Sequence, residues 1–197
     1  GPEITLDRIG SFADPAIGDY YIIGEGERKL HNLIAYFLAD SKDAELLKGI
    51  AYWESGRIIY LENILRPMIL DDIPSVYLNK VIEDYLFSRQ QAFLETQRGC
   101  MLKCKYCVYH KNLPFVCYYS LDRIFAELKY LIIDKQIWAL RIIDAVFTSD
   151  LGRSKKIINY LIALKKTNNA RLPWIYWELN YYNLDEEFMV LTAALKY

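Results

Sequence analysis

The second half of the chain alternates between two patterns of hydrophobic residues. Short runs rich in β-prone residues predict strands over residues 91–97, 139–147 and 174–179. Between and after these runs, apolar residues recur at three- and four-residue spacing, which predicts helices that begin at Leu121, Ser154 and Asp185. Strands that alternate with helices in this way favour a parallel sheet with right-handed crossovers.

The first half of the chain combines a strand, a helix and a hairpin. A β-prone run at residues 19–23 ends in Gly-Glu-Gly-Glu, and apolar residues at helical spacing follow at residues 30–38. Two further β-prone runs flank Glu-Ser-Gly-Arg, which favours a hairpin between residues 49 and 60. The first strand, its glycine turn and the helix are typical of the closing βα unit of an α/β domain.

Prolines and aspartates at positions 67, 71, 72 and 74 mark a segment with little regular structure between the two halves. We therefore expect the halves to be separate domains. The predicted parts are a first domain over residues 1–65, a linker over residues 66–90 and a second domain over residues 91–197.

Composition and charge exclude several classes of protein. Apolar residues make up 53% of the chain and charged residues 25%, which excludes a disordered polypeptide. The 24 Lys and Arg balance 25 Asp and Glu, so the net charge of -1 gives no indication of nucleic acid as a partner. No stretch reaches the roughly 18 consecutive apolar residues of a membrane span.

The cysteines carry the strongest chemical signal in the sequence. Cys100, Cys104, Cys107 and Cys117 lie in one short stretch, whereas a disulfide framework would spread them along the chain. Three thiolates spaced Cys-x3-Cys-x2-Cys after a predicted strand can converge on one soft metal centre, either zinc or an iron–sulfur cluster. His110 offers a fourth ligand for a Cys3His zinc site, and Cys117 is expected to be a free thiol.

The cysteine spacing, with an aromatic residue before the third Cys and Arg-Gly before the first, resembles the radical S-adenosylmethionine (SAM) superfamily. Residues 95–100, Glu-Thr-Gln-Arg-Gly-Cys, resemble the subgroup that carries an N-terminal cobalamin-binding domain. Residues 1–5 and 19–27 look like the last segments of that domain, and residues 49–60 with 70–74 look like its connector.

This resemblance implies an α/β fold in which the end of a Rossmann-like cobalamin-binding domain precedes the first half of a partial (βα)6 radical SAM barrel. Residues 143–148 and 177–179 resemble the ends of the second and third barrel strands. Only three of the six βα units are evident, and no Asp-x-His-x-x-Gly motif precedes them. We therefore expect this chain to be a fragment of a longer enzyme.

The resemblance also implies cofactors and a reaction. Cys100, Cys104 and Cys107 would ligate a [4Fe-4S] cluster whose open iron binds SAM. Reductive cleavage of SAM would give methionine and a 5'-deoxyadenosyl radical, which abstracts a hydrogen atom from a substrate. Tyr106 would lie near the adenine, and cobalamin is expected in the full-length protein.

Asp144 and Glu178 are the remaining candidate cofactor-binding residues. Both lie near the carboxyl ends of predicted parallel strands, which is where βα folds place their ligands. We expect both carboxylates to form hydrogen bonds to cofactor or substrate. The alternative for each residue is a solvated or helix-capping role.

The expected partners are a small-molecule or peptide substrate and a reducing electron donor such as flavodoxin or ferredoxin. Clustered cysteines without a disulfide framework indicate a reducing compartment, so the cytoplasm is the expected location. The alternative from another class of protein is a non-catalytic Cys3His zinc-binding module.

Overall fold

Two separate sheets organise the chain. The structure is a computed structural model that describes residues 9–12, 14, 16–40, 42–63, 67–107, 109 and 115–195. The chain divides into two units, the first consisting of Gly1–Arg66 with Cys104–Leu113, and the second of Pro67–Lys103 with Pro114–Tyr197.

The elements of the described residues are numbered along the chain. The strands are β1 Tyr20–Ile22, β2 Ile50–Glu54, β3 Arg57–Tyr60, β4 Gln91–Leu94, β5 Gln97–Arg98, β6 Cys117–Tyr118, β7 Ala139–Ile142 and β8 Trp174–Tyr176. The α-helices are α1 Ile9–Phe12, α2 Glu27–Leu38, α3 Glu83–Arg89, α4 Leu121–Lys129, α5 Leu151–Asn168 and α6 Glu186–Ala194. Short 3-10 turns cover Ala44–Leu47, Leu70–Asp72, Phe147–Ser149 and Tyr181–Asn183, and a π-helical turn, Tyr130–Asp134, continues α4.

An antiparallel sheet in the order β1–β2–β3 forms the framework of the first unit. Ala51 lies at its centre, paired with Tyr21 on one side and Tyr60 on the other. β2 and β3 meet in a tight turn in which Ser55 and Gly56 have φ angles of 49° and 76°. Positive φ at both central residues is the type I′ geometry that suits the twist of a hairpin, so the predicted hairpin is confirmed.

The first strand differs from its expected surroundings. A closing βα unit would place β1 beside a parallel strand, but the pairings of the described residues in this unit are antiparallel. The Rossmann-like origin of this unit stays a prediction.

Helix α2 forms where the apolar spacing predicts it, but the described residues do not cover its apolar stripe. Leu30, Ile34 and Phe37 are 50%, 50% and 52% exposed, and Leu38 is 80% exposed. The buried apolar side chains of the first unit belong instead to the sheet and to the turn before β2, namely Tyr21, Leu47, Ile50 and Ala51.

A parallel sheet in the order β4–β7–β8 forms the framework of the second unit. Leu94 pairs with Ile142, and Leu140 pairs with Ile175, so apolar side chains line up across one face. That face is covered, since Leu94, Leu140 and Ile142 are each at most 1% exposed. The parallel arrangement predicted from the alternation of strands and helices is confirmed.

Helices cover this face, and three of them begin at side-chain caps. Ser120, Asp150 and Asp185 each accept a hydrogen bond from the amide three residues further on. Helix α5 begins at Leu151 rather than at the predicted Ser154, because Asp150 provides the cap. The helical side chains buried in the core include Ile124, Leu128, Ile157, Ile158, Leu161, Leu164 and Phe188.

Three strands end earlier than their apolar patterns predict. β4 ends at Leu94 rather than at residue 97. β7 ends at Ile142 rather than at residue 147, and β8 ends at Tyr176 rather than at residue 179. The Ile143 amide still donates to the Leu94 carbonyl at 2.9 Å, but the Asp144 carboxylate then binds backbone amides of a neighbouring segment. A buried carboxylate must find donors, and this requirement ends the regular strand.

From residue 67 onwards, the segment predicted as a linker lies in the core of the second unit. Leu70, Tyr77 and Leu86 are 1%, 6% and 2% exposed. The Tyr77 hydroxyl donates to the Phe93 carbonyl and accepts a hydrogen bond from the Phe93 amide at 3.2 Å. Burial raises the pKa of Tyr77 to about 12. The prolines and aspartates delimit short turns here, and the apolar residues between them anchor the segment.

The described residues form a mixed α/β fold. None of the helices among them is both long and apolar enough to cross a membrane. The finer description, a Rossmann-like remnant followed by half of a (βα)6 barrel, stays a prediction.

Candidate functional site

The cysteine segment is a loop whose base is a pair of short antiparallel strands, β5 and β6. Gln97 pairs with Tyr118, and Arg98 pairs with Cys117. Cys117 is half-buried and packs against the hydrophobic core of the second unit. It therefore belongs to the base of the loop.

Gly99 connects β5 to Cys100 at a point where no other residue fits. Its φ is +96°, a conformation that residues with a side chain rarely adopt. A Cβ at this position would lie 1.9 Å from the Phe115 carbonyl oxygen and 3.1 Å from the Val116 Cα. The glycine thus allows the two ends of the cysteine loop to pass in close contact, directly before the first cysteine.

The three motif cysteines are half-buried free thiols. The Leu102 amide donates to Cys100 Sγ at 3.5 Å. The Cys107 amide donates to the Cys104 carbonyl at 3.0 Å, which closes a tight turn between the second and third cysteines. Within the described part of the chain, no group of three His, Cys, Asp or Glu side chains is arranged to hold a metal ion.

Tyr106 lies within the turn between the second and third cysteines and is 92% exposed. A hydrogen bond with the Cys104 thiol raises the pKa of the Tyr106 phenol. Its exposed ring is available for stacking against a planar ligand. His110, the fourth ligand of the zinc alternative, lies outside the described residues.

An ion pair braces the strand that leads into the loop. Arg98 Nε donates to both carboxylate oxygens of Glu95 at 2.9 Å, and the Tyr119 hydroxyl donates to Glu95 at 3.2 Å. Burial, together with the Glu95 charge, raises the pKa of Tyr119 to about 12. The Arg123 guanidinium lies over the Tyr119 ring at 4.4 Å. Through Glu95, Arg98 is therefore connected to Tyr119, the residue that follows β6.

Asp144 is 1% exposed, and both of its carboxylate oxygens are engaged. One oxygen accepts hydrogen bonds from the Thr96 amide at 2.7 Å and the Gln97 amide at 3.2 Å; the other accepts one from the Thr96 hydroxyl at 2.5 Å. Burial raises the pKa of Asp144 to about 6, although these hydrogen bonds oppose the shift. The carboxylate thus fixes the backbone between β4 and β5, just before the cysteines.

Gln97 ties the same turn to the segment that follows Asp144. Its Nε2 donates to the Val146 carbonyl at 2.7 Å and to the Ser149 hydroxyl at 3.0 Å. Because Gln97 is only 1% exposed, these two hydrogen bonds hold a buried amide in one orientation.

Arg153, in the first turn of α5, approaches the turn from another direction. Its Nη2 donates to the Thr96 carbonyl at 3.3 Å, and its guanidinium lies over the Tyr118 ring at 5.3 Å. Burial lowers the pKa of Arg153, while the charge of Asp144 opposes the shift. The Arg153 Nε is buried and has no hydrogen-bond partner among the described residues.

A cavity of about 350 Å³ lies at the carboxyl ends of β7 and β8. Glu178 is exposed and lines it, and the Glu178 carbonyl accepts a hydrogen bond from the Phe147 amide at 2.8 Å. A larger cavity, about 510 Å³, lies at the opposite ends of these strands, beside Trp138 and Trp174. We consider the smaller cavity the better ligand site, because βα folds bind their ligands at the carboxyl ends of the strands.

The structure gives different surroundings to the two predicted acidic residues. Asp144 is buried and accepts hydrogen bonds from backbone amides, whereas Glu178 is exposed and lines a cavity. No individual role was predicted from the sequence for Glu95, Thr96 or Arg153. A signal was available for Arg153, since a basic residue in the first turn of a helix opposes the helix dipole. No local signal marks Thr96, whose hydroxyl matters only because Asp144 lies opposite it.

Comparisons with known proteins show what the parallel βα units and the cysteine loop are similar to. No protein-family model matches the chain. In sequence, the chain is 30% identical over 115 residues to the cobalamin-dependent radical SAM methyltransferase TokK from Streptomyces tokunonensis. That alignment covers 54% of this chain and 17% of TokK.

In fold, the chain is similar to the radical SAM methyltransferase TsrM from Kitasatospora setae. A TsrM structure with tryptophan substrate and aza-SAM matches with a TM-score of 0.69 at 17% identity, over 90% of this chain and 35% of TsrM. A second TsrM structure, with cobalamin and a [4Fe-4S] cluster bound, matches equally well. The cobalamin-dependent SAM radical enzyme OxsB, with aqua-cobalamin and SAM bound, matches with a TM-score of 0.55 at 19% identity, over 89% of this chain and 26% of OxsB.

These comparisons confirm the resemblance predicted from the cysteine motif. The cofactors that the resemblance implies, namely cobalamin, a [4Fe-4S] cluster and SAM, are those found in the TsrM and OxsB structures. The chain spans between 17% and 36% of the length of these proteins.

The donor set of the loop is chemically suited to an iron–sulfur cluster, although its three thiols are not gathered around one point in this structure. Its three cysteines are free and half-buried, and thiolate is the ligand that soft iron prefers. Gly99 keeps side-chain atoms out of the narrow passage before Cys100. The Glu95–Arg98 pair and Asp144 fix the backbone on the approach to that cysteine.

Proposed function

We propose that this chain is the cluster-binding part of a cobalamin-dependent radical SAM enzyme, in which Cys100, Cys104 and Cys107 hold a [4Fe-4S] cluster. When bound, this cluster supplies the electron that cleaves SAM to methionine and a 5'-deoxyadenosyl radical, which then reacts with a substrate still to be identified. In this proposal, residues 1–65 are the end of a Rossmann-like cobalamin-binding domain and residues 91–197 are the first half of a (βα)6 barrel.

The observation that carries the proposal is the position of the cysteine loop. It follows β4, the first strand of the parallel sheet, at the carboxyl end of that strand, and only the short strand β5 lies between β4 and the first cysteine. Ligands of βα folds bind at this end, so a cluster held there can meet a ligand bound at the ends of β7 and β8.

The buried groups around β5 position the first cysteine. Asp144 holds the Thr96 and Gln97 amides, and Glu95 holds Arg98. We assign these carboxylates the role of keeping the Cys100 backbone in place when the cluster binds. For Asp144 this replaces direct contact with a cofactor, since both of its oxygens are already engaged.

Tyr106 and Glu178 are proposed to contact the cofactor itself. The exposed Tyr106 ring can stack on the adenine of SAM. The Glu178 carboxylate can accept a hydrogen bond from an amino or hydroxyl group of SAM or of the substrate in the cavity.

A reducing partner completes the proposed reaction, because the cluster must be supplied with an electron. We propose a flavodoxin or a ferredoxin as the donor and a small molecule or a peptide as the substrate. The four cysteines are free thiols, which agrees with a reducing compartment such as the cytoplasm.

Anaerobic reconstitution tests the proposal. The chain is incubated with iron and sulfide, and we expect a brown protein with about four irons per chain. Reduction with dithionite in the presence of SAM is then expected to release 5'-deoxyadenosine, measured by chromatography. Replacing Cys100, Cys104 or Cys107 with Ala should abolish iron binding.

Cys117→Ala is the matched control, because Cys117 lies in the base of the loop and should leave the iron content unchanged. A colourless protein with one zinc per chain would contradict the proposal and support the Cys3His module. In that case His110→Ala should release the zinc. Iron binding without SAM cleavage would leave a structural or electron-transfer role.

A further inference from the structure

The face of the parallel sheet opposite the helices carries a cation between two aromatic rings. Phe93 of β4, Arg141 of β7 and Tyr176 of β8 are paired in register, so they form one row across the three strands. All three side chains are exposed, Phe93 at 46% and Tyr176 at 54%. The neighbouring residues Leu140 and Ile142 point to the covered face, as strand alternation requires.

Arg141 is the one charged residue in these three strands. Strands of parallel sheets are normally apolar on both faces, so a guanidinium in the central strand needs an explanation. Among the described residues, no hydrogen bond or ion pair to the Arg141 side chain is found. A guanidinium that becomes covered on this face requires an anion beside it, because burying an unpaired charge is strongly unfavourable.

The row borders the cavity at the carboxyl ends of β7 and β8. Arg141, Tyr176 and Glu178 all line this space of about 350 Å³, a volume that suits a small organic molecule. One arginine, Arg141, and one acidic residue, Glu178, are among the residues that line this cavity. This balance favours a ligand with one negative charge over a doubly charged phosphate.

We propose that Arg141 binds the carboxylate of the substrate and that the rings of Phe93 and Tyr176 pack against its planar body. The inference rests on the proposed function and narrows its substrate to aromatic or heteroaromatic carboxylates. A guanidinium can hold a carboxylate through two parallel hydrogen bonds, which fixes both the position and the orientation of the ligand. The aromatic neighbours add contact area on either side of the charge.

Two probes that differ only in charge test the inference, 3-phenylpropionate and 3-phenylpropionamide. Their affinities for the full chain are measured by ligand-observed NMR titration. We expect the carboxylate to bind about tenfold more tightly than the amide, as one charge-assisted hydrogen bond allows. Arg141→Gln should remove this preference, and Arg141→Lys should retain part of it. Tyr176→Ala should weaken the binding of both probes to a similar extent.

Arg57→Gln is the matched control, since Arg57 is an exposed arginine on β3 in the first unit. It should leave both affinities unchanged. Circular dichroism establishes whether each variant is folded. If Arg141→Gln is not folded, the preference for the carboxylate probe is compared between the wild type and Arg141→Lys instead. Equal affinity of the two probes for the wild type, or an unchanged preference in Arg141→Gln, would overturn the inference.

Two further measurements separate this inference from the proposed function. Iron content after reconstitution is measured for the wild type and for Arg141→Gln; a wild type without iron contradicts the proposed function and leaves the probe result intact. S-adenosylhomocysteine is then titrated against bound 3-phenylpropionate. Substrate and cofactor must be bound together for the reaction, so we expect no displacement, and competition would assign Arg141 to the cofactor and overturn the inference.

Discussion

The two units of this chain bury their apolar residues to different extents. In the second unit, a parallel sheet and its helices enclose a core that includes Leu94, Leu140 and Leu161 at 1% exposure or less. In the first unit, α2 has an equally regular apolar stripe, yet Ile34 and Phe37 on it remain half-exposed. A hydrophobic pattern thus predicts the helix, while burial depends on which other elements pack against it.

The same difference extends to the candidate site. The approach to Cys100 is fixed by buried hydrogen bonds within the second unit, from Asp144 to Thr96 and from Gln97 to Val146. Cys104 and Cys107 belong to the first unit, where a single backbone hydrogen bond closes the turn between them. We therefore expect the backbone before Cys100 to be better protected from hydrogen exchange than the turn between Cys104 and Cys107.

The largest effect is expected for Gly99→Ala, compared with Gly56→Ala in the first unit. Both glycines have positive φ, but only Gly99 has backbone atoms where a Cβ would be placed, whereas Gly56 has nothing within 4 Å. We expect Gly99→Ala to destabilise the second unit by about 4 kcal/mol or more and to abolish iron binding. Gly56→Ala should cost about 1 kcal/mol through conformational strain alone.

Urea denaturation followed by circular dichroism gives both stabilities, and hydrogen exchange resolved by peptide assigns each loss to a unit. Equal stability of the two alanine variants would contradict the close backbone contact between Gly99 and Phe115.

A slightly smaller effect is expected for Leu140→Ala, compared with Ile34→Ala on α2. Leu140 is 0% exposed in the central strand, so its truncation should cost about 3 kcal/mol through lost burial and the cavity left behind. Ile34 is 50% exposed, and its truncation should cost less than about 1 kcal/mol. Denaturation midpoints of the two variants measure both losses of stability. If the two losses were comparable, the apolar stripe of α2 would have to be covered.

Asp144→Asn tests the buried carboxylate through the pH dependence of stability. Burial raises the pKa of Asp144 from 3.8 to about 6, so the folded chain binds this proton more tightly than the unfolded chain does. Its contribution to stability is therefore greatest below about pH 4 and is lost as the pH rises through about 6. We expect the wild type to lose about 2 kcal/mol relative to Asp144→Asn across this interval.

Paired urea titrations at pH 4, 5, 6 and 7 measure that difference. Parallel pH profiles for the two proteins would show that Asp144 does not titrate in this range. Asp185→Asn, on the exposed cap of α6, serves as a contrast: the ion pair with Lys155 lowers its pKa, so its contribution is lost as the pH falls instead.

The smallest effect is expected for Leu38→Gln at the end of α2. Leu38 is 80% exposed, so replacing it with a polar residue should change the free energy of unfolding by less than about 0.5 kcal/mol. Thermal denaturation checks this value. A loss comparable to that of Leu140→Ala would remove the contrast between the two units.

The sequence predicts the repetitive parts of this fold well. Ser120 caps α4 as predicted, because capping depends on residues within one turn of the chain. The cysteine motif and its strand were also evident from spacing alone. The ends of β7 and β8 were not, because the chain leaves the ladder where Asp144 meets Thr96, a contact between residues far apart in sequence.

The same limit applies to the roles of individual side chains. Asp144 and Glu178 both follow strands, yet only the structure distinguishes a buried acidic residue from an exposed one that lines a cavity. Arg141 could be read from the sequence as an arginine in a strand. Its position between Phe93 and Tyr176 depends on the register of three strands, which no local pattern specifies.

The short β5–β6 ladder has a consequence for how a cluster would be loaded. By pairing Arg98 with Cys117, it joins the two ends of the cysteine loop before any ligand is bound. A free chain would lose entropy when it brought distant thiolates together. Because the ends of the loop are already joined, this entropic cost is smaller. We expect metal loading to leave the cooperative melting of the parallel sheet unchanged, in contrast to zinc fingers, which are unfolded without their metal.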